Sequence, residues 1–245
     1  MANTSFVTSI NLDSLEYKQP ISQKHGAKVV YVSTVPNSSD WKDRMRFQMS
    51  EDAQTNLQSA VWGLSTPLQG QDQSRRTLEL TVESQSLLDF LKKLDEKNIE
   101  SAFQYSETWF KKQLDKTQLE QMYVRVLKER TKEEYKETVR VKVKCQDYPT
   151  NIWLVDDIDE NGKIRYSPGG PDDLTKGVKL LALVETSGLW FMSRQFGMSL
   201  TATDLLVWPN KRPSGINAFN LGPGKTLIKT TNKSEIEMEV ETQFE

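Results

Sequence analysis

The chain has 245 residues, 36% of them hydrophobic and 27% charged, with a formal net charge of −2 at pH 7. This length allows one large domain or two small ones, with enough residues for a sizeable core. No apolar run reaches the roughly 18 residues that a membrane helix needs, so we expect no membrane contact. The first residues lack the pattern of a secretory signal, and the single cysteine cannot form an internal disulfide. We therefore expect a soluble intracellular protein.

The N-terminal third predicts an arm followed by short strands. Residues 1–26 contain few apolar runs, which favours a loosely packed arm. The β-branched run 27–35 predicts a buried strand, and alternation over 42–49 favours another strand. Two further strands are predicted at 57–64 and 75–82.

A block of helices at about 84–130 interrupts the strands. Leucines at helical spacing predict one helix after residue 84, with Ser84 or Ser86 as its N-cap. Residues 116–137 predict a second helix. Because the helices form one block and do not alternate with strands, the pattern favours a β-barrel or β-sandwich with a helical insertion over a doubly wound sheet.

Strands return after the helical block. Residues 138–145 alternate without interruption, and Asn161-Gly162 predicts a hairpin turn. The apolar runs 178–192 and 196–208 predict two antiparallel strands joined by Ser193-Arg194-Gln195. We expect Gly188 and Gly197 to relieve crowding or to permit a bulge in these strands.

Sequence motifs give little support to an enzyme. The segment 221–226 ends like a phosphate-binding loop, but Phe219 stands where the pattern needs a glycine. The segment 157–164 begins like a calcium loop, but Pro168 replaces the bidentate glutamate. The chain has one histidine, His25, and no Cys/His cluster. We therefore expect a protein without catalytic activity, metal or cofactor.

The strand 138–145 carries the clearest functional pattern. Its alternation places Arg140, Lys142 and Lys144 on one face, about 7 Å apart, which is close to the phosphate spacing of an extended nucleic-acid strand. A solvated strand face explains the same pattern equally well, so both interpretations stay open.

Other basic residues lie beside aromatic residues, a combination that proteins use to hold single strands, with cations on phosphates and rings on bases. Each tryptophan taken singly is more often a core residue. The pattern predicts further phosphate contacts at Lys42, Arg44, Arg46, Arg194, Lys211 and Arg212. It predicts base stacking on Trp153, Tyr166 and Trp41.

Residues 233–245 form an acidic segment with five glutamates and one lysine, which leaves 31 basic and 29 acidic residues in the other 232. Such a tail can cover a basic groove as a competing polyanion or recruit basic partners. An edge strand is the alternative, because Ile236, Met238 and Val240 alternate with glutamate.

The C-terminal part of the chain resembles a known family. The resemblance covers mainly 178–245 and rests on four features. These are a strand at 186–191, Phe196-Gly197 at the start of a second strand, the end of that strand at Leu206-Val207-Trp208-Pro209, and a Gly-to-Ala-Phe continuation at 215–219. It is to the OB-fold single-stranded DNA-binding proteins of large nucleocytoplasmic DNA viruses, which are related to the corresponding protein of short-tailed phages.

The resemblance implies an OB-like β-barrel with a helical insertion and an acidic C-terminal tail. We expect an arm at 1–26, an OB-like domain at 27–232 and the tail at 233–245. The implied function is sequence-independent binding of single-stranded DNA in viral replication, recombination or repair, in the host nucleus or cytoplasm. The implied tail residues for contacts with a polymerase or helicase are Glu239, Glu241, Phe244 and Glu245.

Two further expectations complete the hypothesis. The helical block is expected to serve protein contacts or self-association into a homo-oligomer. The alternative function is that of a structural or scaffolding protein of a virion or replication compartment, with the β domain as an interaction module.

Overall fold

The protein is a β-rich fold with a block of helices in the middle of the chain. The computed structural model describes residues 5–23, 27–35, 43–51, 55–67 and 73–210. Strands before the helical block are β1 (Ser5–Phe6), β2 (Glu16–Tyr17), β3 (Ile21–Ser22), β4 (Lys28–Val30), β5 (Val32–Ser33), β6 (Arg46–Gln48), β7 (Gln58–Leu64) and β8 (Arg75–Thr81). The helices are α1 (Gln85–Gln104), α2 (Ser106–Phe110) and α3 (Lys116–Met122). Later strands are β9 (Tyr123–Val124), β10 (Leu127–Lys128), β11 (Thr138–Lys144), β12 (Asn151–Ile158), β13 (Ile164–Pro168), β14 (Lys179–Phe191) and β15 (Phe196–Trp208).

The hairpin of β14 and β15 is the longest pairing in the described residues. It runs in antiparallel register from Lys179 opposite Trp208 to Phe191 opposite Phe196. The Met192 N–H closes the turn by donating to the Gln195 carbonyl at 2.8 Å. The prediction of two antiparallel strands joined by Ser193-Arg194-Gln195 is therefore confirmed.

The other strands are arranged along the two edges of this hairpin. On the β14 edge, β4, β6 and β7 pair in antiparallel register. On the β15 edge, β9, β11 and β12 pair one after another in parallel register. Strand β8 lies between β7 and β11 and so connects the two groups. The result places β11 and β12 end to end along β15.

Gly188 and Gly197 allow this close packing, as predicted. Gly188 lies at a register shift in β14 and has φ +93°, and a Cβ atom there would approach the Val30 carbonyl oxygen to 2.6 Å. A Cβ atom at Gly197 would lie 2.8 Å from the Val124 carbonyl oxygen. Gly188 thus permits a bulge, and both glycines relieve crowding against a neighbouring backbone.

The first helix forms as the sequence predicts. The Ser84 side chain caps α1 by accepting from the Leu87 N–H at 3.3 Å, so Ser84, not Ser86, is the N-cap. The helix buries Leu87, Leu91 and Leu94 against the strands. None of the helices in the described ranges has the length and apolarity needed to cross a bilayer.

The prediction of a second helix over 116–137 is wrong beyond Met122. Helix α3 begins with a capping box at Asp115 and ends where β9 pairs with β15 and β10 pairs with β11. Sheet pairing of these residues provides partners for their backbone groups and overrides their helical propensity.

A buried carboxylate fixes the segment that follows α3. Asp95 on α1 accepts from the Tyr123 hydroxyl at 2.7 Å, the Val126 N–H at 2.9 Å and the Leu127 N–H at 3.2 Å. Burial raises the pKa of Asp95, and these hydrogen bonds lower it by less. Because each donor needs a partner away from water, this network holds the helical block against β9 and β10.

The expectation of a loosely packed N-terminal arm is corrected for the described residues. Val7 and Leu15 are buried in the core, and β1 pairs in parallel with β6. The Tyr17 hydroxyl donates to the Asn98 side chain on α1 at 2.8 Å. Isolated apolar residues, which do not form a long run in the sequence, provide this packing.

Candidate nucleic-acid interface

A row of polar side chains crosses five strands at one level of the sheet. Strand pairing places Arg46 of β6 beside Glu185 of β14, Glu185 beside Thr201 of β15, Thr201 beside Lys142 of β11, and Lys142 beside Thr77 of β8. Directly paired residues point to the same side of a sheet, so these five side chains share one face. We call this side of the sheet the outer face.

The opposite side of the same strands is the core. The residues next to the polar row in sequence are fully or almost fully buried, namely Phe47, Val184, Leu200, Val141 and Leu78. Along β8 and β11 the alternation therefore produces a dry side and a solvent-exposed side, whereas Glu185 and Thr201 at the centre of the row are themselves buried. The period-2 pattern predicted for 138–145 is confirmed, since Val139, Val141 and Val143 are buried.

Arg140, Lys142 and Lys144 lie in line on the outer face of β11. Their partners on β8 are Glu79 opposite Arg140 and Arg75 opposite Lys144. Arg75 therefore adds a fourth cation to this group. Glu79 introduces an acid that the sequence of β11 alone did not reveal.

Glu79 pairs with cations at one end of this group. It accepts from Lys128 Nζ at 3.0 Å, from the Thr138 hydroxyl at 2.9 Å and from Arg140 Nε at 3.3 Å. Burial raises its pKa, but these hydrogen bonds and the Lys128 charge outweigh burial and hold the pKa below the ordinary value. Lys128 and Arg140 remain largely exposed, so an external anion can approach them without displacing Glu79.

Arg44 and Arg46 surround a second carboxylate. Nε and Nη2 of Arg46 donate to Oε2 of Glu185 at 3.3 and 3.2 Å, and Nη1 of Arg44 lies 3.6 Å from Oε1. The Arg44 guanidinium also lies 5.1 Å from the centroid of the Tyr31 ring, within the range of a cation–π contact. Both predicted arginines therefore reach the outer face, but an internal anion binds them there.

Trp153 of β12 and Tyr166 of β13 lie on the same face, beside the C-terminal half of β15. Trp153 of β12 pairs with Leu206 of β15, and Tyr166 of β13 pairs with Val155 of β12. A register shift in the β14–β15 pairing between Ala202 and Asp204 changes which residues of β15 face outward, so Leu205 and Val207 are buried in the core and Leu206 lies on the same side as Thr201. The two rings meet edge to face with centroids 5.4 Å apart. Tyr166 is 60% exposed and Trp153 is half-buried, so the tyrosine offers the more accessible ring.

Tyr148 is a candidate that the sequence analysis missed. It is 92% exposed and lies in the loop between Lys144, at the end of the cationic line, and Asn151, at the start of the strand that carries Trp153. Asp147 and Tyr148 have φ of +47° and +63°, which non-glycine residues rarely adopt. The segment Asp147-Tyr148-Pro149, directly after a basic strand, is the sequence signal that could have identified it.

The base of this loop is fixed by hydrogen bonds. Lys144 and Thr150 bond to each other twice, through the Lys144 N–H to the Thr150 hydroxyl and the Thr150 N–H to the Lys144 carbonyl, each at 3.0 Å. The Thr150 hydroxyl then donates to the Ala202 carbonyl of β15 at 2.7 Å. The loop that carries Tyr148 therefore has a fixed base, and along the chain it joins the cationic strand β11 to β12, the strand that carries Trp153.

The remaining residues predicted to bind DNA or partners lie away from this group or outside the described residues. Arg194 is exposed in the turn between β14 and β15, at the opposite end of the hairpin from the strand positions that pair with Trp153. Eight other residues that we predicted to contact DNA or partners lie outside the described residues: Trp41, Lys42, Lys211, Arg212, Glu239, Glu241, Phe244 and Glu245.

Comparison with known proteins gives matches among solved structures only. No family model and no curated protein matches the sequence. The single-stranded DNA-binding protein gp2.5 of bacteriophage T7 is similar with a TM-score of 0.43 and 12% identity, over 68% of this chain and 92% of that chain. The single-stranded DNA-binding protein of bacteriophage Enc34 is similar in its complex with single-stranded DNA, with a TM-score of 0.40 and 8% identity, over 81% of this chain and 98% of that chain.

A C-terminal truncation of the Enc34 protein is also similar, with a TM-score of 0.39 and 9% identity, over 83% of this chain and 100% of that chain. These three structures come from phages, and none comes from a large nucleocytoplasmic DNA virus. With TM-scores below 0.5, the similarities by themselves assign neither a fold family nor a function to this chain.

Proposed function

We propose that this protein binds single-stranded DNA through its outer face, without sequence preference and without catalysis. The observation that carries the proposal is the placement of a line of cations and of a pair of aromatic rings, one of them exposed, on one face of one sheet. The cations are Arg140, Lys142 and Lys144 of β11 with Arg75 of β8, and the Tyr148 loop leaves β11 at the Lys144 end. Trp153 follows on β12 and Tyr166 on β13. Cations that follow the backbone and rings that accept bases are the two components of single-strand binding.

The spacing on β11 suits an extended strand of nucleic acid. Alternate residues of a β-strand lie about 7 Å apart, so the three cations can each meet a successive phosphate. Rings stack on any base because every base has a π-face, and stacking therefore gives affinity without sequence preference. Bases of a duplex are already stacked on one another, so exposed rings favour a single strand.

The finer points of the hypothesis rest on the sequence. We propose an OB-like domain over 27–232 whose helical insertion serves self-association, and a tail at 233–245 that contacts replication proteins such as a polymerase or helicase. The acidic composition of the tail and the resemblance to viral proteins support this part. The setting that follows is viral DNA replication, recombination or repair inside the infected cell.

Fluorescence anisotropy tests the function directly. The full chain is titrated into labelled oligo-dT, a duplex of equal length and an RNA of equal length, at several salt concentrations. We expect tight, salt-sensitive binding to oligo-dT and weaker binding to the duplex. Absence of binding to oligo-dT even at low salt, together with stable assembly at high salt without DNA, would favour the scaffolding function instead.

A further inference from the structure

Glu185 occupies an unusual place at the centre of the outer face. Its side chain is 7% exposed, and it lies between Arg46 on one neighbouring strand and Thr201 on the other. Both of its oxygens face arginines, with Oε2 toward Arg46 and Oε1 toward Arg44. A buried anion between two guanidinium groups is also the geometry in which an arginine pair holds a phosphate.

The two arginines differ in exposure from the cations that pair with Glu79. The side chains of Arg44 and Arg46 are 29% and 16% exposed, whereas those of Lys128 and Arg140 are 49% and 62% exposed. A phosphate can therefore reach Lys128 and Arg140 from solvent while Glu79 stays bound. At Arg46, Nε and Nη2 already donate to the internal carboxylate, and Arg44 lies against the same carboxylate through Nη1.

The geometry points to Glu185 as an internal competitor of DNA phosphate. This inference rests on the function proposed above and assigns Glu185 the role of limiting the affinity for DNA. In the free protein the Glu185 carboxylate holds Arg44 and Arg46. A DNA phosphate binds these arginines only by sharing them with the carboxylate or by replacing it. The carboxylate also cancels one of the two arginine charges. Both effects weaken DNA binding at this part of the face and favour rapid release of the strand.

The Glu185→Gln variant tests this inference, because glutamine keeps the shape and one acceptor oxygen but removes the charge. We expect oligo-dT binding to become about threefold to tenfold tighter at moderate salt, since one cation is released from an internal pair. The salt dependence should steepen by up to about 0.7 units of slope, the value for one additional phosphate contact on a single strand.

The matched control is Glu100→Gln. Glu100 is an exposed carboxylate on α1 that pairs with Lys116, so its removal changes the net charge equally but not the outer face. An equal gain in both variants would reduce the effect to net charge and overturn the inference. Unchanged or weaker binding by Glu185→Gln would also overturn it, because the carboxylate would then only position the arginines.

A measurement on the wild-type protein covers the case in which the variant does not fold. The Nε–H resonance of Arg46 should shift when oligo-dT is added, because the arginine exchanges Glu185 for phosphate. A resonance that stays in place in the DNA-bound protein would contradict the competition. Failure of the wild type to bind oligo-dT would instead overturn the proposed function, so the two failures are distinguishable.

Discussion

Lys142 of β11 and Arg75 of β8 are like charges on adjacent strands of the outer face. Burial lowers the pKa of Lys142, and the positive charge of Arg75 lowers it further. The charged form of Lys142 is therefore less stable in the folded chain than in the unfolded chain. Concentrating cations on the outer face therefore lowers the stability of the free protein. In the proposed DNA complex, a phosphate beside Lys142 would offset this loss of stability.

Lys142→Met should make the free protein more stable and the DNA complex weaker. Methionine keeps most of the length of the side chain and removes the unfavourable charge. Because Lys142 is exposed and solvent screens its charge, we expect only about 0.5 kcal/mol more stability at pH 7, together with a lower affinity for oligo-dT. Because the folded pKa is depressed, the penalty is full below that pKa and disappears as pH rises toward the ordinary lysine value of 10.5. The stability difference between the two proteins should therefore narrow at alkaline pH.

Thermal unfolding of both proteins between pH 7 and 10 measures this effect. Lys92→Met is the control, since Lys92 is exposed on α1. A Lys142→Met protein that is less stable than the wild type at pH 7 would show that the lysine charge is favourable in the free protein.

Removal of all three β11 cations should change the salt dependence of binding. Each lost contact to a single strand lowers the slope of log affinity against log salt by about 0.7 units, so Arg140→Ala, Lys142→Ala and Lys144→Ala together should lower it by about 2 units. The core-facing valines of β11 are untouched, so the variant should fold. Anisotropy titrations at four salt concentrations give the slope.

The control for this experiment removes three cations from the helical block, at Lys92, Lys93 and Lys112. It has the same net charge as the β11 variant. If both variants lose the same slope, the contribution of β11 is long-range charge and not phosphate contact, and the site assignment fails.

Tyr148→Ala should weaken binding without affecting stability. The ring is 92% exposed, so its removal costs little packing, whereas one lost stacking contact costs roughly 1–3 kcal/mol of binding free energy. Tyr148→Phe keeps the ring and should bind like the wild type. Tyr135→Ala is the matched control, because Tyr135 is another exposed tyrosine, 52% accessible, outside β11 and its loop. Equal affinities of the Tyr148→Ala protein and the wild type would remove Tyr148 from the interface.

The features that the sequence predicted well are those in which local pattern and tertiary structure agree. The burial pattern of β11 follows from the alternation of its own residues, and the roles of Gly188 and Gly197 follow from the backbone freedom of glycine. The helix over 116–137 was mispredicted because residues after Met122 pair with β15 and β11, which lie far away in sequence. Long-range pairing of this kind leaves no periodic trace in the segment itself.

The acids of the outer face were missed for a related reason. Glu79 and Glu185 reach their cations across strand pairs, so only the register of β8 with β11 and of β6 with β14 reveals them. In the sequence, each stands alone among uncharged neighbours. The cations on one face of a strand can thus be predicted from that strand alone, whereas the acids that pair with them from other strands cannot.

Gly188→Ala should destabilise the fold by about 3 kcal/mol, from the left-handed backbone and from overpacking. Gly188 has φ +93°, and the new Cβ atom would lie 2.6 Å from the Val30 carbonyl oxygen. Val30 belongs to β4, which pairs with β14 directly after the bulge. The substitution therefore acts on the hairpin that aligns Glu185 and Thr201 with the cations of β11.

Gly170→Ala is the matched control for this prediction. Gly170 has φ −144°, and no atom lies within 4 Å of the position that its Cβ atom would take. Alanine there should be neutral or stabilise by up to about 1 kcal/mol, because it restricts the unfolded chain. Chemical denaturation of both variants measures the difference. Equal stabilities of the Gly188→Ala protein and the wild type would mean that β4 can move away from β14, and that the bulge does not fix the alignment of the outer face.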